Sequence, residues 1–477
     1  MYILLVRPPD PMQHVQLLSH TRPMNLAYLA SYVRQHGIDV NIVDYETTPY
    51  SESDFIALLK KCKPDLVGVS CMTPSVLNGA KLCAVAKRFS NQIATVIGGP
   101  HLNGIPIGTL EEFPSFDYGV YGEGEQTLLE LCHYVVGGGN ARDINGLLHR
   151  EENQVVKNSA RPQIENLNDI PFPARDLIDY KLQAGYVTRG MSNEISSTEL
   201  FSSRGCPFPC KFCAIQTTFG KSVRFRSIEN VEEEIKEFKK DYQFNHVVVA
   251  DDTFVLNKSR VEELCEVFTR TGIKSWNCDT RVSTINPARL KMMKNSGCNK
   301  VAYGVETGSE RISGLIGKKT SFEQIERAAR WTKEAGIQHI EGNFIIGVHP
   351  DETLEDIELT RKAIKSLPWT FVSVSIIVPY PGTQIYHMMK EQNLIHPDCS
   401  WEDFVMFGKP PKWNTNNFSS DHLLSMQKKI TREFYLNPRY VMRQTLGVRS
   451  WKELKYWVKS GTSYMNWYFT GQVRPQK

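Results

Sequence analysis

The 477-residue sequence contains no apolar run approaching the ~18–20 residues that a membrane span requires. Its first residues, MYILLVRPPDPMQ, turn polar and proline-rich too early for a signal peptide, so a cytoplasmic location is expected. Charge of one sign is also scarce. The 56 Lys and Arg against 52 Asp and Glu leave a net +4, too small a bias to point to a nucleic acid. With 41% hydrophobic, 10% aromatic and 23% charged residues, disordered, collagen-like and disulfide-scaffold classes are excluded. Eleven cysteines, an odd number, do not suit a secreted disulfide framework. No G-x-G-x-x-G follows the first apolar run and no G-x-x-x-x-G-K-[ST] occurs, which leaves an ordinary FMN or nucleotide domain without support. No repeat with a period of ~20–50 residues is visible.

What is present is alternation. In residues 1–150 the short runs YILLVR, VNIVDY, DLVGVS and ATVIGG read as strands, being β-branched and bounded by Gly, Pro or Asp. NLAYLASYVRQHG, DFIALLKKC and GAKLCAVAKRF carry apolar residues at helical spacing, the first stopping at Gly37. This order predicts a parallel sheet with helices on both faces, and ligands beyond the carboxyl ends of its strands. The junctions to inspect are therefore Arg7 to Asp10, Ser70 to Pro74, Gly98 to His101 and Tyr121 to Glu125. Residues 151–195 are polar, with Pro162, Pro171 and Pro173, and read as a linker. From about 196 the alternation resumes, with strand candidates TELFSSRG, HVVVAD, SWNCDTR, KVAYGVE, HIEGNFIIG and FVSVSIIV. Six βα repeats fit a complete or partial parallel barrel, with its chemistry again at the strand C-termini.

Eight cysteines lie singly in apolar stretches and read as buried reduced thiols: Cys62, Cys71, Cys83, Cys132, Cys265, Cys278, Cys298 and Cys399. The other three stand together in SSRGCPFPCKFCAIQ, where Cys206, Cys210 and Cys213 have C-x3-C-x2-C spacing directly after a strand. Three thiolates on one tight loop can hold three irons of a cubic iron–sulfur cluster and leave the fourth open to a ligand. A four-cysteine zinc ribbon uses two C-x2-C pairs, and no second pair is present.

This loop resembles that of the radical S-adenosylmethionine (SAM) enzymes, which place an aromatic residue, here Phe212, before the last cysteine. The resemblance covers about 196 to 395. It implies a 4Fe-4S cluster whose open iron binds the amine and carboxylate of SAM, and reductive cleavage to a 5′-deoxyadenosyl radical. It further implies an electron donor such as a flavodoxin or ferredoxin. Later strand ends match in order. VVVADDTFVLN offers Asp251 or Asp252 for the SAM amine or the substrate, with Asp252 preferred, although the segment reads ADD where simpler members have GGE. NCDTRVSTIN offers Arg281 for the carboxylate, VAYGVETGSE offers Gly304 and Glu306 for ribose and amine, and FIIGVHPDET offers Ile345 and Gly347 for adenine. Taken singly, Arg281 also fits a barrel ion pair, and the glycines fit plain turns.

The N-terminal phrases PDLVGVSCMTPS, TVIGGPH and VYGEGEQTLLEL stand in the order of a cobalamin-binding domain fused to such a barrel. A broad, flat corrin needs strand-end loops whose backbone can approach its face, and Gly98, Gly99, Gly122 and Gly124 suit that role. Ser70 and Thr73 suit its nucleotide tail or propionamides, and in the same loops Glu123 is expected to contact the cobalamin and His101 to line its tail pocket. The D-x-H-x-x-G that supplies a histidine to cobalt is absent, although His14, His20 and His101 lie near candidate loops. The resemblance thus implies an α/β chain. A Rossmann-like (flavodoxin-like) cobalamin domain occupies 1–150, a linker 151–195, a partial (β/α)6 radical SAM core 196–400, and a small, mainly helical module 401–477. Methylation of an unactivated carbon leads, and cyclisation, oxidation or rearrangement without methylation belong to the same family. A cobalamin-dependent sensor with a structural cluster is the non-enzyme alternative.

The last segment differs in composition. Residues 400–477 hold 13 Lys or Arg against 5 Asp or Glu, and five of the eight tryptophans. In RSWKELKYWVKSGTSYMNWYF, Trp451, Leu454, Trp457 and Val458 share one helical face. Such a helix packs on the barrel, caps a lipid-like or macrocyclic substrate, or rests on an anionic membrane. Tyr303, Tyr380 and Cys278, at strand ends, are further candidates for hydrogen donors toward the substrate.

Overall fold

Strand β1 (Tyr2–Arg7) shows how the first sheet is built. Its side chains alternate: Ile3 and Leu5 enter one core and Leu4 and Val6 another, so both faces are dry and the run is continuously apolar. The first core is closed by Met24, Leu26, Ala27, Ala30 and Val33 of helix Met24–Gln35, the second by Phe55 and Leu59 of helix Glu52–Cys62. Gly37, at φ 79°, ends the first of these helices as its sequence predicts. This computed structural model describes residues 1–11, 22–152, 154–180, 197–407 and 409–447.

Strands β2 (Asp39–Asp44), β3 (Leu66–Ser70), β4 (Ala94–Gly98) and β5 (Tyr118–Val120) join β1 in the order β2-β1-β3-β4-β5, all parallel. The order reverses between β1 and β3, and there the carboxyl ends diverge into a crevice. The sheet is not wholly parallel, however. Strand β6 (Leu147–Glu151) adds antiparallel to β5 and β7 (Gln154–Lys157) antiparallel to β6, carrying the sheet into the range read as linker. A hairpin needs no crossover helix, and the half-exposed β7 lacks the apolar run that marks a buried strand.

The second sheet is wholly parallel, in the order β15-β14-β13-β12-β11-β8. Its strands are β8 (Ser197–Leu200), β11 (His246–Val249), β12 (Ser275–Thr280), β13 (Cys298–Glu306), β14 (His339–Ile346) and β15 (Phe371–Ile376). The six repeats stand where the alternation puts them, and β8 and β15 remain edges, so the barrel is partial. A two-stranded ribbon, β9 (Ser203–Arg204) with β10 (Arg224–Phe225), follows β8.

The free edge of β15 is covered by helix Ser420–Tyr435. Gln427 Nε2 donates to the Val374 carbonyl at 2.9 Å, and the Tyr435 hydroxyl accepts from Val372 N and donates to its carbonyl at 3.1 and 2.8 Å. Side chains thus occupy ladder positions that an edge leaves open. The described part of the basic C-terminal segment is therefore helical and closes the barrel edge. Among the described residues no helix is long and apolar enough to cross a membrane. Trp451, Leu454, Trp457, Val458, His14 and His20 lie outside the described residues.

Candidate active site

The cysteine loop starts at Gly205, whose φ of 97° and packing both demand glycine. A Cβ there would lie 2.2 Å from the Ser222 carbonyl oxygen. The loop is pinned on two sides: Lys211 N donates to the Ile316 carbonyl at 3.0 Å, and Ile385 N to the Lys211 carbonyl at 3.2 Å. Gly317, at φ 75°, lets the loop pass, since a Cβ would meet the Pro209 oxygen at 2.5 Å. Cys206, Cys210 and Cys213 are all half-buried and free. Among the described residues no three His, Cys, Asp or Glu side chains converge on one ion position. Six of the eight other cysteines are buried, and Cys62 and Cys399 are half-buried.

The adjacent aspartates after β11 have different tasks. Asp251 is buried and accepts from Ser202 N at 2.6 Å, Ser203 N at 3.1 Å and the Ser202 hydroxyl at 2.6 Å, which fixes the approach to the loop. Asp252 faces the cavity and accepts from Gly205 N at 3.0 Å. Burial pushes its carboxyl up to about 6. Arg281 lies against the loop: its Nη1 donates to Cys210 Sγ at 3.3 Å, its Nη2 to the Lys318 carbonyl, and its guanidinium sits 3.9 Å from the Phe208 ring centroid. Glu306 is held in a buried ion pair by Lys318 at 2.7 Å. Gly304 leaves the space for that pair, since a Cβ would meet Glu306 Oε1 at 2.6 Å. Gly347, at φ 67°, turns the chain after β14 and donates its N–H to Glu352.

The carboxyl edges of the two sheets face one another across a cavity of about 940 Å³. Arg7, Ser70, Gly98 and Val120 line it from β1, β3, β4 and β5; Phe201, Ala250, Ile345 and Ile376 line it from β8, β11, β14 and β15. Phe212, Cys213 and Asp252 also lie on the wall, as do Thr73, Gly99, Gly122, Glu123, Gly124 and Tyr380. The glycines fit a flat ligand. Gly99, at φ 97°, comes so near Cys71 that a Cβ would meet its N and O at 2.9 Å, and Gly122, at φ 81°, has nothing within 4 Å of a Cβ position. Asn25 Nδ2 orients Ser70 Oγ at 2.8 Å. Arg281, Gly304, Glu306 and Gly347 do not line this cavity. Of the three candidate donors, Tyr303 is buried and bonded to Thr332 at 2.6 Å and Cys278 is buried, so Tyr380 alone reaches the wall.

Two expectations for the first domain change. His101 is 1% exposed and off the wall, its ring 4.9 Å from Trp401 with neither nitrogen bonded, and burial lowers it to about 4. No histidine lines the cavity among the described residues. Glu123 is committed to protein. It accepts from Arg224 Nη1 and Nη2 at 2.7 and 3.0 Å, Arg204 Nη1 at 3.0 Å and Ile164 N at 2.9 Å, so about four acceptor positions are filled. Burial pushes its pKa up, but the arginines and the Ile164 N–H outweigh it and hold the carboxyl below its ordinary value. Glu125 takes the other arm of Arg204 at 2.6 Å. The acidic GEGE phrase is thus the first domain's half of a bridge to the ribbon beneath the cysteine loop. Asn103, which the sequence does not single out, makes a parallel bridge. It accepts from Gly122 N at 2.9 Å and donates to Thr218 Oγ1 at 2.6 Å.

Known proteins agree with this arrangement. The Radical SAM superfamily matches residues 200–364 and the B12 binding domain residues 15–132. An uncharacterized methyltransferase of Pyrococcus horikoshii is 34% identical over 93% of this chain and 94% of its own length. An anaerobic magnesium-protoporphyrin IX monomethyl ester cyclase of Rubrivivax gelatinosus is 28% identical over 92% and 78%. The solved structure of OxsB, a cobalamin-dependent S-adenosylmethionine radical enzyme with aqua-cobalamin and S-adenosylmethionine bound, superposes with a TM-score of 0.73 at 19% identity. It covers 98% of this chain and 72% of its own. The chain belongs to the cobalamin-dependent radical SAM methyltransferase family, with a 4Fe-4S cluster, SAM and cobalamin as its cofactors.

Proposed function

We propose that this chain transfers a methyl group to an unactivated carbon of a small-molecule or lipid-like substrate. The observation that carries the reading is the single cavity shared by both carboxyl edges, in which Cys213, Phe212 and Asp252 face Ser70, Gly98 and Gly122. Two cofactor loops that open on one space can act on one carbon, and holding reactants in register is the main contribution a protein makes to such chemistry. When bound, the cluster and SAM supply a 5′-deoxyadenosyl radical that removes hydrogen, and methylcobalamin supplies the methyl group.

Cys206, Cys210 and Cys213 ligate the cluster in this reading, and Arg281 donates a hydrogen bond that steadies Cys210. Asp252 and Ile345, on the wall, contact SAM, with Phe212 beside them. Ser70, Thr73, Gly98, Gly99, Gly122 and Gly124 form the corrin cradle. The apolar groups at the end of β15, Ile376 to Val378, together with Phe404 to Met406, exclude water from the reacting carbon.

Anaerobic reconstitution with iron, sulfide and cobalamin, followed by reduction through a flavodoxin or ferredoxin in the presence of SAM, should yield 5′-deoxyadenosine. Cys206→Ser, Cys210→Ser or Cys213→Ser should abolish it. With methyl-deuterated SAM the product should gain one labelled methyl group. Loss of hydrogens without that gain would indicate a cyclisation or oxidation, and no 5′-deoxyadenosine from a cluster-loaded protein would indicate a sensor.

A further inference from the structure

The N-terminal end of the second sheet, opposite the edge that carries the cysteine loop, holds a separate cavity of about 710 Å³. It opens between the last turn of helix Phe322–Glu334, the segment from Lys365 to Pro368 that leads into β15, and helix Pro438–Gly447. Five cations line it, Arg330, Lys333, Lys365, Arg439 and Arg443, against one acid, Glu334. Arg330 pairs with Glu326 at 2.7 Å, Lys365 with Glu433 at 3.3 Å, and Arg443 donates to the Trp369 carbonyl at 2.5 Å. Lys333 and Arg439 are exposed and have no ion-pair partner among the described residues.

Lys333 and Lys365 sit in the last turns of their helices, where they answer the helix dipole. Arg439 and Arg443 come from a third element and bring a surplus of positive charge that Glu334, the one acid lining the cavity, offsets only in part. The same helical region exposes apolar side chains: Leu436 is 47%, Val441 45% and Met442 60% exposed. Met442 lies three residues after Arg439 and therefore beside it on the helix surface. The sequence after Gly447 adds six Lys or Arg against one Glu, so this end of the chain is strongly basic.

A concave cationic site flanked by exposed apolar residues is complementary to a phosphate headgroup at the edge of a hydrocarbon layer. The cofactor cavity lies at the opposite strand ends, so this site serves neither SAM nor cobalamin. We infer that this end of the molecule docks on an anionic phospholipid surface, a headgroup phosphate seating among Lys333, Arg439 and Arg443 while Met442, Val441 and Leu436 enter the interfacial layer. The enzyme is thereby held at the bilayer by its barrel floor, with its cofactor edges on the other side of the sheet.

The test is flotation of the full-length, cluster-loaded protein with vesicles of phosphatidylcholine alone or mixed with phosphatidylglycerol. Wild type should float with the anionic vesicles only, and salt should release it. Removing a cation near the surface lowers partition about fivefold, so the double variant Lys333→Ala, Arg439→Ala should lose on the order of 25-fold. Met442→Glu should reduce partition independently. All these variants should still form 5′-deoxyadenosine, which separates failure of docking from failure of the catalytic reading. Absence of flotation overturns the inference. So does undiminished flotation of the double variant, which would place the contact in residues after 447. Binding of inorganic phosphate sensitive to the same variants but without flotation also overturns it, in favour of a soluble anion.

Discussion

The bridge from Glu123 to Arg204 and Arg224 gives the most exacting test of how the two sheets share one cavity. The Glu123 side chain is 4% exposed, and those of Arg204 and Arg224 are 13% and 11% exposed. Glu123→Ala would remove all four acceptor bonds at once and leave Arg224 with the Ile164 carbonyl alone. Losing one partner of a buried pair costs about 3–5 kcal/mol, and because Arg204 retains Glu125 the lower end, about 3 kcal/mol, is expected. That is a large part of a domain's total of about 5–15 kcal/mol. The assay is urea unfolding of cluster-free protein, read by near-ultraviolet circular dichroism, in a double-mutant cycle with Arg224→Ala. The expected outcome is an earlier transition, with the two domains unfolding separately where wild type unfolds together. Because its folded-state pKa is depressed, Glu123 stabilises the fold above its unfolded pKa, and the contribution fades as pH falls through the folded value. The gap between wild type and Glu123→Ala should therefore close in acid. A loss below about 0.5 kcal/mol, the range of ordinary surface substitutions, would refute the bridge. A loss of corrin affinity at unchanged stability would instead make Glu123 a cofactor contact.

Other outcomes can be checked independently. Gly99→Ala forces an alanine into a backbone region that costs about 1–3 kcal/mol and against Cys71 backbone atoms, so a lower thermal midpoint and weaker cobalamin binding should appear together. Burial pushes Glu352 up to about 8, so it favours the fold below its unfolded value and the benefit is lost as pH rises toward 8; Glu352→Gln should flatten that decline in urea midpoints. Asp251→Asn removes an acceptor from a buried group and should cost about 1–3 kcal/mol with poor cluster retention. Asp252→Asn should keep the cluster and weaken SAM binding in equilibrium dialysis.

Much of the architecture was legible because a parallel sheet must be dry on both faces. Several of its strands are then continuous apolar runs, as in YILLVR, DLVGVS and HVVV, while β2, β8 and β12 are more polar and were legible from the strand–helix alternation around them. The β6–β7 hairpin escaped because an edge strand wet on one side has no such run. Among site residues, the cysteine loop is legible because its chemistry depends on spacing along one short segment. Its neighbours across the barrel are less so. Asp251 and Asp252 are adjacent and of one type, and only the packing turns one inward to Ser202 and Ser203 and the other to the cavity.

The sequence by itself determined the order of the elements, the three thiolates and the glycines at strand ends, because those are fixed by local periodicity, spacing and backbone conformation. The tertiary structure alone decided the partners. Glu123 meets Arg224 across 101 residues, Asn103 meets Thr218 across 115, and His101 is turned from the cavity by Trp401. Such contacts depend on where distant strands end in space, which no local pattern records. The small net +4 likewise carried no hint of a basic cavity at one end, since charge summed along a chain says nothing of where folding gathers it.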